Sequence, residues 1–99
     1  MASYRFLPAA RDDLEGIWEY TIARWDVEQA IRYTDEIETA CEILCESPLM
    51  CHERDEYNPS VRIHPHGEHL IVYVIDDKGI QIVRILHSHM DVDTQLIEN

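Results

Sequence analysis

The chain changes its hydrophobic period beyond its midpoint. Tyr4-Arg5-Phe6-Leu7 is a short aromatic and aliphatic run that predicts a strand, and Pro8 behind it suits the first turn of a helix, where a missing N–H costs nothing. From Ala10 onward, Leu14, Ile17, Trp18, Thr21 and Trp25 recur at three- and four-residue spacings, which places them on one helical face. Asp12, Asp13 and Glu15 fall near the amino end of this helix, where its dipole favours acids. Asp26 reads as the cap of a second helix, with Gln29 completing a variant capping box. Ala30, Tyr33, Ile37, Ala40, Cys41 and Leu44 form the inward face of that helix until Ser47-Pro48 stops it. Two helices joined so closely must form an antiparallel hairpin.

After a polar stretch from Pro48 to Pro59 the period becomes two. Val61-Arg62-Ile63-His64 alternates until Pro65, His66-Gly67-Glu68 reads as a turn, and Leu70 to Ile75 is a strand. Asp76-Asp77-Lys78-Gly79 turns the chain into a further strand, Ile80 to Leu86, and Asp91 to Ile97 predicts a short terminal helix. The nearly continuous apolar runs predict strands covered on both sides. The expected fold is α+β in the order β-α-α-β-β-β, a helical hairpin packed on a small antiparallel sheet, as a single domain over residues 1–99.

Charge narrows the function classes. The 8 Lys and Arg against 20 Asp and Glu leave a net −12. Nucleic-acid binding normally needs a basic footprint, so direct contact with DNA or RNA is not expected, and anionic membranes are disfavoured in the same way. Leu70 to Ile75, the longest uncharged apolar run, is far short of the roughly 20 residues of a membrane helix, and Met1 to Arg5 shows no export signal. Three cysteines, an odd number, favour reduced thiols and a cytoplasmic location over a disulfide framework. A zinc site built from Cys41, Cys45, Cys51 and His52 would have spacings that match no familiar motif, so no metal or other cofactor is expected.

Particular segments resemble the ParE branch of the RelE/ParE toxin superfamily of bacterial toxin–antitoxin modules. Leu7-Pro8-Ala9-Ala10 with Asp13 to Thr21 is similar to the family's opening strand and first helix. Arg24-Trp25, Gln29-Ala30 and Tyr33 resemble its interhelical turn and second helix. Gly67-Glu68-His69-Leu70-Ile71-Val72-Tyr73 resembles its glycine–histidine–aliphatic–tyrosine strand, and Ile82 to His87 with Met90-Asp91 its last strand and tail. The resemblance implies a toxin that poisons DNA gyrase and is neutralised, in a hetero-oligomer, by a ParD-like antitoxin wrapped around it. The RelE-like branch of the superfamily instead cleaves messenger RNA on the ribosome with Lys, Arg and a supporting Tyr. A third possibility is a toxin-derived module that binds antitoxin without activity.

The two branches make different chemical demands. Phosphodiester cleavage needs cationic groups to offset charge developing on phosphate. The positions corresponding to the RelE-like basic cluster are Arg62, His64, His69 and His89, of which only Arg62 carries a permanent charge. A non-catalytic gyrase poison is therefore the expectation. Its candidate toxin surface is Arg62, His64, His69, Arg84, His87, His89 and Met90. The histidines also admit a structural reading, His69 and His87 as satisfied strand residues and His64 and His66 on a solvated turn, and a metal reading. Arg84, inside an apolar run, needs a partner such as Asp91, Asp93 or a helix acid, or else faces a groove that meets a partner. Candidate antitoxin-binding residues are Trp18, Trp25, Asp35, Glu38 and Glu42. Trp18 and Trp25 are expected in the core with one edge open to the antitoxin, and the acids form a solvated face that attracts its basic residues. Residues 1–56 hold 14 acids and 5 Lys/Arg, so the helical half carries most of the negative charge.

Overall fold

The computed structural model describes residues 3–97. Strand β1 (Ser3–Phe6) runs into helix α1 (Pro8–Arg24), and helix α2 (Val27–Glu46) follows at once. A single 3₁₀ turn (Pro48–Met50) and an irregular stretch lead to β2 (Arg62–His66), β3 (His69–Asp76) and β4 (Gly79–His87), and α3 (Val92–Ile97) comes last. The expected order is the order found. Asp26 is in extended conformation and its Oδ1 accepts the Gln29 N–H at 2.7 Å, so the cap that the sequence predicts between the helices is formed. Helix α1 starts at Pro8, which places Asp12, Asp13 and Glu15 beyond its first turn, so they act less on the helix dipole than expected.

The sheet order is β1-β4-β3-β2. β2, β3 and β4 form an antiparallel meander, but β1 joins β4 in parallel, with Tyr4 opposite Ile80 and Phe6 opposite Ile82. The sheet is thus mixed at one edge, because the helical hairpin and the meander all lie between the two strands and return β4 in the direction of β1. Gly79 makes this approach possible. Its φ is +145°, and a Cβ there would lie 1.9 Å from the Ser3 carbonyl oxygen. At the other edge β2 does not stop at Pro65 but continues to His66, since an edge strand tolerates proline where its N–H side faces away from the sheet. His64 and His66 consequently lie in a strand, not on the solvated turn expected. Gly67 and Glu68 alone make the turn, with Gly67 at φ +57° in the first central position of a two-residue hairpin loop.

Both faces of the sheet are covered. The helical hairpin packs Ile17, Ile37, Cys41 and Leu44 against Ile71, Tyr73, Ile80, Ile82 and Ile85. On the opposite face Val72 and Leu86 pack with Tyr57 and Val61 from the preceding stretch and with Val92 and Leu96 of α3. β4 contains one register shift, so that Tyr73 pairs with Ile82 and Val72 with Arg84, leaving Val83 as the extra residue of a bulge. Trp18 is half-buried, but Trp25, at the carboxyl-terminal cap of α1, is 66% exposed and does not belong to the core as expected. The helical period ends one residue before it, so its ring leaves the face that Ile17 and Thr21 share.

Candidate functional site

The end of the sheet where β2 meets β3 gathers the histidines. The two-residue turn pairs His66 with His69, and the bulged β3–β4 register pairs His69 with His87. Tyr33 of α2 leans over this end, its Oη 2.7 Å from His69 Nδ1 and 3.4 Å from the His66 carbonyl oxygen. The His69 and His87 rings meet edge-on at 5.4 Å, and the His89 ring lies 5.0 Å beyond. The His89 N–H donates to His87 Nδ1 at 3.2 Å, which fixes that nitrogen as an acceptor. Burial, and then the neighbouring His87, hold His69 below the ordinary histidine range, so it is neutral at pH 7. Burial likewise raises the Tyr33 phenol. His69, His87 and His89 thus form one file, with Met90 exposed at its end. Tyr33 belongs to the file as well; the helical period marks it only as an inward residue.

The other candidates lie elsewhere. His64 points to the helix side of β2, its Nδ1 3.7 Å from the half-buried Cys51 Sγ, and burial lowers its pKa too. Arg62 donates to the Cys51 carbonyl oxygen. Arg84 is clamped by Asp13 of α1: Nε donates to Oδ2 at 2.7 Å and Nη2 to Oδ1 at 3.0 Å. The same carboxylate accepts the Ile85 N–H at 2.9 Å, beyond the reach of β1, which ends opposite Ile82. The partner of Arg84 is therefore a helix acid, one of the alternatives the sequence left open, and Asp91 and Asp93 are not its partners. Asp93 instead accepts the Tyr57 hydroxyl at 2.6 Å, a contact that no periodicity announces.

A groove of about 520 Å³ runs between α2, the 3₁₀ turn and β2. Ala40, Ile43 and Met50 give it apolar walls, Asp35 and Glu36 with Arg32 a charged rim with two acids to one base, and His64 and His66 its strand side. Ile43 and Met50 are each about half exposed and Leu49 beside them is 73% exposed. Of the candidate antitoxin-binding acids only Asp35 borders this groove. Glu42 lines a smaller depression beside β1, and Glu38 with Glu42 acts electrostatically on Tyr4 there. Trp25 stands apart at the hairpin turn with exposed Val27 nearby in sequence. Ile43 lies outside the inward stripe of α2 and Met50 beyond the helix in the 3₁₀ turn, and no local pattern in the sequence brings the two to one groove.

Cys41 and Cys45 face inward on α2, and burial pushes the Cys41 thiol up to about 12, which makes it inert as a nucleophile. His52 is exposed, whereas Cys41 and Cys45 are buried. Among the described residues no three His, Cys, Asp or Glu side chains are placed to hold a metal ion. Among them, too, no helix is long and apolar enough to cross a membrane.

Residues 4–92 match the family described as the ParE toxin of type II toxin–antitoxin systems, parDE. A protein named Toxin ParE1 from Mycobacterium tuberculosis is 38% identical over 94 residues, which cover 94% of this chain and 96% of that protein. Toxin ParE1 of Caulobacter vibrioides is 32% identical over 96 residues, covering 97% and 99%. A solved structure described as the chromosomal ParDE TA system from P. aeruginosa superposes with a TM-score of 0.73 at 22% identity, over 88% of this chain and 96% of its counterpart, which is a likeness of fold.

Proposed function

Because the chain belongs to the ParE toxin family of type II toxin–antitoxin systems, we propose that it acts in the cytoplasm as a non-catalytic inhibitor of DNA gyrase, kept silent by a ParD-like antitoxin. One observation carries the non-catalytic reading: the two arginines of the candidate toxin surface are held by the protein itself. Arg84 is bound to Asp13, and Arg62 to the Cys51 carbonyl. A ribonuclease must keep cations directed at the phosphate in flight; the Arg84 guanidinium, already neutralised by a carboxylate, supplies little of that field, and Arg62 is tied to a main-chain carbonyl. His69, neutral and held by Tyr33, is likewise suited to shape and not to charge.

Inhibition then rests on surface complementarity. The histidine file and the segment from His87 to Leu96 are the proposed gyrase-facing surface. The groove beside α2 is the proposed seat of the antitoxin: its apolar walls fit aliphatic anchors, and Asp35 and Glu36 fit Arg or Lys between them. Purified gyrase tests the reading. The protein should block supercoiling, and a ParD-like antitoxin should relieve the block. His64→Ala, His69→Ala and His89→Ala, checked for folding by circular dichroism, should each change inhibition by less than about tenfold, whereas acid–base groups usually contribute on the order of a hundredfold or more. Cleavage of ribosome-bound mRNA by the wild type, lost in a folded His69→Ala or His89→Ala protein, would replace this reading with a RelE-type nuclease.

A further inference from the structure

We propose that the outer edge of β1 accepts an extended, basic segment of the antitoxin as a further strand of the sheet. The sheet has two edge strands, β1 and β2, and they are finished differently. On β2 the outward row of main-chain groups begins at Val61, whose N–H and C=O are both taken by Arg54, and reaches Pro65, which has no N–H to offer. Cys51 touches His64 and Arg62, so the chain leading to Arg54 runs beside that edge as well. β1 carries neither device. The Ser3 N–H donates to the Lys78 carbonyl at 3.0 Å and the Leu7 N–H to the Ile82 carbonyl at 2.9 Å, so Ser3, Arg5 and Leu7 turn their main chain toward β4. Alternation along the strand turns the N–H and C=O of Tyr4 and Phe6 the other way. Among the described residues no main-chain bond outside the pairing with β4 reaches Tyr4 or Phe6. Two donors and two acceptors thus stand in a row. Arg5, between them, points to the second face of the sheet and pairs with Asp76.

What flanks the edge sets the chemistry of the guest. Tyr4 and Phe6 direct their rings to the helix side, where they pack on the core. A depression of about 300 Å³ lies beside Tyr4, bordered by Ser3, Glu42, Cys45 and Glu46 and by no basic side chain. Glu38 adds to the negative potential at the Tyr4 phenol. Side chains alternate along a strand, so a guest residue beside Tyr4 enters this depression, and one two positions away lies against the half-buried Phe6 ring. Lys or Arg suits the first position and an aliphatic residue the second. A second copy of this chain is the poorer guest, because it brings its own Glu42 and Glu46 to the same place. The depression and the groove proposed for the antitoxin lie on different flanks of α2, with Glu42 bordering one and Ile43 the other. A helix is about 10 Å across, so roughly three or four extended residues carry one chain from the groove to the edge. The placement rests on the antitoxin being the partner, and the strand and the groove can be tested apart.

Amide hydrogen exchange of the intact toxin, free and saturated with a purified ParD-like antitoxin, reads the edge directly. In the free protein the Tyr4 and Phe6 amides should exchange fast beside the protected Arg5 and Leu7 amides, and in the complex both should slow by roughly tenfold or more. An amide that already exchanges from the folded state gains nothing from a general rise in stability, so this slowing marks a new bond. Tyr4→Pro removes one outward donor and no bond to β4, and should weaken binding by about three- to tenfold beyond Tyr4→Ala, with folding checked by circular dichroism. Glu42→Gln with Glu46→Gln should weaken it by roughly threefold or more at low salt. A complex that Ile43→Ala shortens in life, but in which the Tyr4 and Phe6 amides stay fast, would overturn the strand and leave the groove in place. Slowed Tyr4 and Phe6 amides in a complex indifferent to Ile43→Ala would uphold the strand and move the antitoxin out of the groove. An antitoxin that does not bind at all would overturn both.

Discussion

Asp13 shows how one side chain ties a helix to a strand through three bonds. Its carboxylate accepts from Arg84 Nε, from Arg84 Nη2 and from the Ile85 N–H, and both partners of the ion pair are largely shielded from water. Asp13→Ala leaves a shielded guanidinium and a strand N–H without their acceptor, and should lower stability by roughly 2–4 kcal/mol in urea titrations. Arg84→Met in the Asp13→Ala background should recover part of that loss, because it removes the charge the first substitution strands. The histidines set a second residue-scale expectation. His64 and His69 have folded pKa values below the ordinary 6.5, so the unfolded chain takes up protons that the native chain refuses. Native stability from these groups is complete above about pH 6.5 and declines as the pH falls below it, until their folded pKa values are passed. The urea midpoint should drop between pH 7.5 and 5.5, and the drop should shrink in His69→Gln. Asp76 acts in a separate window. The Lys78 N–H first, then the Arg5 guanidinium, hold its pKa at about 2, so its contribution is present above the unfolded value near 3.8 and is lost as pH falls through about 2.

Elements are where the reading of the sequence succeeds and where it stops. The two-residue connection, the Asp26 cap and the inward stripe of α2 are local, and local signals found them. The pairing of β1 with β4 is not local: four residues carry no information about which distant strand they join, and Gly79 becomes meaningful only once Ser3 is seen against it. Gly79→Ala should therefore cost more than Gly67→Ala. The first drives a Cβ into main-chain atoms of Ser3 at a left-handed φ and must detach β1, roughly 2–4 kcal/mol. The second meets only the Tyr33 hydroxyl and ring edge, which can move, and pays mainly for its φ, about 1–2 kcal/mol. Thermal midpoints by circular dichroism would order the two, and the reverse order would contradict the role given to Gly79. The site followed the same rule. The sequence displays histidines but not their file, because a simple hairpin walking back from Asp76–Gly79 puts His69 opposite Leu86. The bulge at Val83 shifts the register by one and brings His87 there instead. Arg84 is re-aimed by the same bulge, since strict alternation after Ile80 and Ile82 would send it into the core.

At the scale of the whole molecule the net −12 is distributed and not concentrated at one catalytic point, so its effect belongs to association. Residues 1–56, which include both long helices and one wall of the groove, hold 14 of the 20 acids. In the proposed complex, a basic antitoxin segment approaching α2 would be accelerated by this field at long range, where salt screens it within roughly 10 Å at 0.1 M. Once seated as proposed, its aliphatic side chains would meet Ala40, Ile43 and Met50 in the groove, and these contacts would set how long it stays. The two stages separate experimentally. Raising the salt from 0.05 to 0.5 M, on the order of one decade, should slow association with a ParD-like antitoxin markedly and change the dissociation rate little. Asp35→Asn with Glu36→Gln should weaken the salt dependence, while Ile43→Ala should speed dissociation at every salt concentration. Both should leave the circular dichroism unaltered, because all three side chains are exposed. Stopped-flow mixing measures the first rate and competition with unlabelled toxin the second. Association rates that stay flat across the salt range, or an Ile43→Ala complex as long-lived as the wild type, would move the antitoxin away from this groove.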